Sequence, residues 1–71
     1  MNGRFEQQRI PYWEKYTLTI SQAAEYFGIG ETRLREYINE NPTARYLLKN
    51  GNKTLIKRQM FEKVIDEIYV I

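Results

Sequence analysis

The apolar residues of the chain fall into short segments that alternate between the spacing of strands and the spacing of helices. Tyr16–Leu18 combines an aromatic with a β-branched residue, which favours a short strand. From Ile20 onward the apolar residues recur along one helical face. Thr19 and Gln22 have the spacing of a capping box at the start of this helix, and Gly28 suits the left-handed position that ends it.

A second helix is predicted over residues 31–41, and only Ile29 and Gly30 separate it from the first. Two short helices joined by a glycine-containing turn form a helix-turn-helix, whose second helix enters the major groove of DNA. The buried face would carry Leu34, Tyr37 and Ile38. The polar side chains away from that face can reach base edges or phosphates, and they are Thr32, Arg33, Arg35 and Glu36. An ordinary helical hairpin with a solvated outer face would show the same pattern.

Two further apolar segments, Ala44–Leu48 and Thr54–Lys57, are joined by a basic segment that contains an Asn-Gly pair. That pair between two apolar runs is the strongest short-range signal for a β-hairpin. A hairpin after the second helix is the wing of a winged helix, which lies along phosphates or enters a minor groove. The predicted wing contacts to DNA are Lys49, Asn50, Gly51, Asn52 and Lys53, and Lys57 and Arg58 are candidate phosphate contacts. The Asn-Gly pair by itself indicates only a turn and not a contact with DNA.

A final helix is predicted from Arg58, with Phe61, Val64, Ile65 and Ile68 along one face. The order of strand, helix-turn-helix, β-hairpin wing and C-terminal helix defines an α+β fold, a small winged helix-turn-helix. We expect one winged-helix DNA-binding domain over residues 10–71 and a flexible arm over residues 1–9.

Composition narrows the classes of function. The 71 residues contain no cysteine and no histidine, so disulfides and the usual zinc ligands are excluded and no cofactor or metal is expected. The net charge of +2 is uninformative, but residues 49–63 hold five basic groups against one acid, Glu62. A basic patch fits a phosphate-bearing partner, although a solvated lysine-rich face would look the same. No apolar run approaches the roughly 20 residues that span a bilayer, and no signal peptide opens the chain, so a cytoplasmic protein is expected.

Five segments of the chain have a sequence pattern that is specific to one family, and they are Ile10–Ile20, Glu25–Glu31, Asn50–Asn52, Ile56–Arg58 and Phe61–Lys63. These segments resemble the excisionases of conjugative transposons. The resemblance extends over residues 10–71 and is most specific in the aromatic arm and the Asn-Gly-Asn wing. The wider relatives are MerR-like winged helices and phage excisionases. Gly30 departs from the many relatives that carry a serine there, so the second helix could lack a side-chain cap.

The resemblance implies a recombination directionality factor of the bacterial cytoplasm, associated with the nucleoid. Such a protein binds double-stranded DNA at the ends of an integrated mobile element. It bends that DNA, with cooperative self-association of several copies, and helps a tyrosine-recombinase integrase to excise the element. The major-groove role falls on residues Thr32, Arg33, Arg35 and Glu36, and the wing role on residues 49–53.

The sequence argues against an enzyme. A tyrosine recombinase needs arginines and a histidine or lysine around its nucleophile, and this chain has six tyrosines but no histidine and no room for a catalytic domain. Tyr16, Tyr26, Tyr37 and Tyr46 are interpreted as core and rim aromatics. Two alternatives stay open: a small MerR-like or phage-type transcriptional regulator, and a protein-interaction module that docks through its last helix.

Overall fold

The computed structural model describes residues 10–71, so the predicted arm over residues 1–9 lies outside it. The elements are a 3₁₀ turn at Tyr12–Glu14, β1 (Thr17–Thr19), α1 (Ile20–Phe27), α2 (Glu31–Glu40), β2 (Leu47–Asn50), β3 (Lys53–Lys57) and α3 (Arg58–Glu67). Over residues 10–71, three α-helices and a three-stranded antiparallel sheet confirm the predicted α+β winged helix-turn-helix.

The first helix of the helix-turn-helix begins after Thr19 and ends before Gly28, as the sequence predicted. The Thr19 hydroxyl accepts a hydrogen bond from the Gln22 backbone N–H at 3.1 Å, and the Gln22 side chain accepts one from Thr19 N–H at 3.1 Å. This reciprocal capping box satisfies donors that the first helical turn leaves unpaired. Gly28 ends α1 with φ +72°, and Gly30 precedes α2 without a side-chain cap.

The sheet runs in the order β1-β3-β2, so the central strand is the second strand of the hairpin. Leu18 of β1 and Leu47 of β2 both pair with Ile56, which places the three side chains on one face. Leu18 and Ile56 are fully buried there. The first strand was predicted one residue too early, because Tyr16 lies before β1 and is exposed.

The hairpin turn is shorter than the sequence predicted, and its two central residues are Gly51 and Asn52 instead of the Asn50-Gly51 pair. Asn50 pairs with Lys53, which leaves only Gly51 and Asn52 in the turn. Gly51 has φ +64°, and Asn52 is not in the left-handed region. A glycine at the first central position is the pattern of a type II′ turn, which matches the twist of the strands. The predicted five-residue loop over residues 49–53 was therefore too long.

Phe61 of α3 is the centre of the core. Its ring meets those of Tyr46 and Phe27 at centroid distances of 4.7 and 5.1 Å, both edge to face. The buried residues around it are Leu18, Ala23, Ala24, Leu34, Ile38, Tyr46 and Ile56. The apolar face of α3 was predicted to include Ile68, but the helix ends at Glu67 and Ile68 is the residue after it.

Tyr46 is the buried member of the predicted tyrosine set. Its ring packs on Phe61, and its hydroxyl is buried without a hydrogen-bond partner in the part of the chain that the structure describes. Burial, with a smaller contribution from Tyr37, raises the pKa of Tyr46 to about 12. The hydroxyl is thus desolvated without compensation, which opposes folding.

We expect Tyr46→Phe to leave the free energy of unfolding at pH 7 unchanged or to raise it by up to about 1 kcal/mol, because the uncompensated hydroxyl is removed. Between pH 10 and 12 the unfolded tyrosine loses its proton before the folded one, which destabilises the wild type. The advantage of the variant should therefore grow over that range in urea unfolding curves. Tyr69→Phe, at a fully exposed position, is the matched control. A Tyr46→Phe variant that is less stable than wild type at pH 7 would contradict this interpretation.

Candidate nucleic-acid interface

Helix α2 buries one face and leaves the other open, as a recognition helix must. Leu34 and Ile38 are buried, and the four predicted DNA-contacting residues, Thr32, Arg33, Arg35 and Glu36, are all exposed. Residues two positions apart in a helix differ in direction by about 200°. The two arginines of α2 therefore lie on opposite flanks, and their contacts differ accordingly.

Arg35 lies on the flank of α2 that faces the wing. It lines an open groove together with the wing tip and the start of α1. The lining residues are Thr19, Ile20, Ser21, Arg35, Asn52, Lys53, Thr54 and Leu55. The guanidinium is paired with Glu31 at 2.8 Å and its side chain is 56% exposed. An exposed ion pair is worth little, so a phosphate or a base edge can replace the Glu31 carboxylate.

Arg33 lies on the other flank, beside the C-terminal segment. Its Nη1 donates to Glu36 at 2.8 Å, and its Nε donates to the main-chain oxygen of Ile71 at 3.0 Å. The side chain is 55% exposed. The two arginines thus occupy separate environments, although the sequence predicted the same role for both.

The wing presents lysines on both of its faces. Lys49 pairs with Thr54 across the hairpin, whereas Lys53 pairs with Asn50 at the next position, so the two lysines point to opposite faces. The Lys49 ammonium donates to the Thr54 hydroxyl at 3.0 Å. Both lysines are exposed, and neither forms an ion pair within residues 10–71. Their charge is therefore available to an anionic partner.

Known proteins match this chain along most of its length. The family model described as the excisionase from transposon Tn916 matches residues 1–71. A relative from Streptococcus agalactiae serotype V, the excisionase from transposon Tn916, is 52% identical over 66 residues, which cover 93% of this chain and 98% of the relative. This chain belongs to the Tn916 excisionase family. The resemblance to the excisionases of conjugative transposons is confirmed, and this excisionase-family chain has the winged helix that the resemblance implied.

Arg58 of this excisionase-family chain is engaged in the fold, which gives no support to the predicted phosphate contact. Its Nε donates to the main-chain oxygen of Lys15 at 2.8 Å, and its Nη1 donates to Glu62 at 2.7 Å. The Tyr26 hydroxyl donates to the same Glu62 oxygen at 2.9 Å, and the Arg58 side chain is only 12% exposed. Lys57, half-buried at the base of the wing, stays a candidate contact.

Sequence reasoning missed the part that α1 plays in the groove. Thr19 pairs with Leu55 in the sheet, and this pairing brings Ser21 beside the wing tip and Arg35. The register of β1 on β3 was the only signal that could have placed Ser21 there, and spacing along the chain does not give it. Within residues 10–71 no group of three or more acidic residues is arranged to hold a metal ion, and no helix is long and apolar enough to cross a membrane.

Proposed function

We propose that this member of the Tn916 excisionase family binds double-stranded DNA at the ends of a mobile element. Helix α2 would enter the major groove, and the wing would lie on the adjacent backbone. The observation that carries the proposal is the groove in which Arg35 of α2 meets Asn52 and Lys53 of the wing. Donors from two separate elements converge on one open surface, and Arg, Lys and Asn side chains are donors that proteins use to contact DNA phosphates.

The dimensions and charges of α2 fit this role. A major groove about 12 Å wide admits one helix. The exposed ridge of α2 carries Thr32 and Glu36, whose oxygens can reach base edges, and a glutamate can accept from a cytosine amino group. An arginine stands on each flank. The ridge and the two arginines beside it would thus supply sequence readout, and the wing would supply affinity for the DNA backbone.

We infer further that the protein bends DNA and acts on excision without performing chemistry itself. Helix and wing would hold one side of the duplex at two points, and a moderate bend costs of order 1–6 kcal/mol, which these contacts can offset. Several copies bound side by side would accumulate curvature. The protein would serve a tyrosine-recombinase integrase in the cytoplasm, at the nucleoid.

A reconstituted excision reaction tests this function. Adding the protein to a tyrosine recombinase and its element should raise the yield of excised circle, and the protein alone should neither cut nor join DNA. On fragments with permuted site positions, the mobility of the complex should vary with position, as a bend requires. DNA binding without curvature and without an effect on excision would reject the proposal and favour a transcriptional regulator.

Among single substitutions, we expect Arg35→Ala and Arg33→Ala each to weaken binding to the specific site by about 1–3 kcal/mol if the side chain reads a base. Neither should change the fold, because both side chains are exposed. Arg35→Lys is the matched control, since it keeps the charge but not the planar fork. Fluorescence anisotropy with specific and scrambled duplexes checks this. Wild-type affinity in both alanine variants would remove α2 from the interface.

The wing lysines should behave differently, because they would neutralise phosphates. Lys49→Ala and Lys53→Ala should weaken binding to all sequences alike and lower the slope of log affinity against log salt by about one unit each. Lys63→Ala, at an exposed position of α3, is the control for lost charge and should leave the slope unchanged. A loss confined to one sequence, with the slope intact, would show instead that the wing reads bases.

A further inference from the structure

The segment after α3 folds back on the core. Ile68–Ile71 lies beside the turn of the helix-turn-helix, where it shares a small groove with Phe27, Ile29 and Ile65. Ile71 is half-buried and packs against the core cluster, while Tyr69 and Val70 are 100% and 72% exposed. Within the segment, Ile71 therefore packs on the core cluster, whereas its neighbour Val70 is largely exposed.

This docked position brings a main-chain oxygen to the recognition helix. The Ile71 oxygen accepts a hydrogen bond from Arg33 Nε at 3.0 Å, across 38 positions of the chain. Glu36 accepts from Nη1 of the same guanidinium at 2.8 Å. The Glu36 contact alone is an exposed ion pair of the kind that orders a side chain little. The hydrogen bond to Ile71 comes from outside α2, and it holds Nε of the guanidinium, whereas Glu36 holds Nη1.

The contacts of Arg35 and Arg58 can be compared with those of Arg33. Arg35 is held within the described residues by Glu31 alone, on its own helix. Arg58 is held as Arg33 is, with Nε on the main-chain oxygen of Lys15 and Nη1 on Glu62. That pattern fixes the plane of a guanidinium, since its donors lie in a rigid fork. Arg33 has this pattern on a surface proposed to meet DNA.

We propose that the C-terminal segment 68–71 positions Arg33 for DNA, with Ile71 as the positioning residue. Because Nε already donates to the Ile71 oxygen, the edge of the guanidinium that carries Nε is not free to bind DNA. Arg33 therefore contacts DNA through Nη1 and Nη2, once DNA has displaced the Glu36 carboxylate from Nη1. A side chain ordered in advance loses less conformational freedom on binding. The inference rests on the proposed function of α2, and it gives Ile71, from outside α2, a part in ordering the recognition surface.

The test compares Ile71→Ser with Val70→Ser, two neutral changes at adjacent positions of which only the first removes the docked side chain. In the free protein, the Arg33 Nε–Hε resonance should shift and exchange faster with water in Ile71→Ser and not in Val70→Ser. The Arg58 resonance should stay unchanged in both, which reports that the fold is intact. Ile71→Ser should also weaken specific DNA binding by about threefold to tenfold, whereas Val70→Ser should not.

A double-mutant cycle with Arg33→Ala separates this inference from the function on which it rests. If the segment acts through Arg33, then Ile71→Ser should have no further effect on affinity in the Arg33→Ala background. An equal loss in both backgrounds would overturn the inference and leave the role of Arg33 standing. So would an unchanged Arg33 resonance in Ile71→Ser. If Arg33→Ala binds DNA like wild type, both the placement of Arg33 at DNA and the inference fail.

Discussion

Replacing Phe61 by alanine should lower the free energy of unfolding by about 3–5 kcal/mol. The ring is fully buried and touches the rings of Phe27 and Tyr46 edge to face, so its removal loses burial and leaves a cavity between α1, α3 and the loop before β2. A chain of 71 residues has a total stability of roughly 4–10 kcal/mol. The variant should thus lose a large share of it, and its midpoint in thermal denaturation should fall by roughly 12–40 °C.

Met60→Ala is the matched control for this substitution. It shortens a large apolar side chain at the adjacent position of α3, but Met60 is exposed. We expect a change of less than about 1 kcal/mol there. Equal losses at the two positions, or a loss below about 1 kcal/mol for Phe61→Ala, would contradict the placement of Phe61 at the centre of the core.

Replacing Arg58 by alanine should lower the free energy of unfolding by about 2–3 kcal/mol. The guanidinium joins the segment before β1 to α3 through Lys15 and Glu62, and its loss leaves the Lys15 oxygen without a charged donor. Tyr26 still donates to Glu62, which is partly exposed, and this limits the damage. Urea unfolding of Arg58→Ala, Arg58→Lys and Lys63→Ala checks it, and we expect Lys63→Ala to change little.

The same variants decide between a structural role and the phosphate contact that the sequence predicted for Arg58. A structural role predicts lost stability with an unchanged salt slope for DNA binding, measured at a temperature where all variants are folded. A phosphate contact predicts normal stability and a slope lower by about one unit. The second outcome would restore Arg58 to the DNA-binding surface.

The parts of the fold that depend on local chemistry were predictable from the sequence. The capping box of Thr19 and Gln22 needs only residues three positions apart, and the left-handed Gly28 needs only a residue without a Cβ. The face of α2 that carries Leu34 and Ile38 follows from helical spacing. Each of these features depends on residues within one or two turns of the chain.

Several features that the sequence did not reveal depend on how segments of the chain pair in the fold. The one-residue shift of the hairpin turn reflects the register of β2 on β3, which keeps the half-buried Leu47 and the buried Ile56 on the same face of the sheet. Arg58 has the composition of a phosphate ligand, and only the fold shows the Lys15 oxygen at 2.8 Å from it. The contact of Arg33 with Ile71 is likewise invisible to any local pattern.

The proposed interface is tested most directly by mapping the backbone amide resonances that DNA perturbs. A duplex from the element end, titrated into the labelled protein, should shift amides around Ser21, Arg35 and Asn52, which line the groove between α2 and the wing. A scrambled duplex should shift the wing amides more than those of α2. Amides near Trp13 and Met60 should hardly move. Shifts confined to Trp13 and Met60, with α2 and the wing unaffected, would contradict the proposal that the helix and the wing together form the DNA-binding surface.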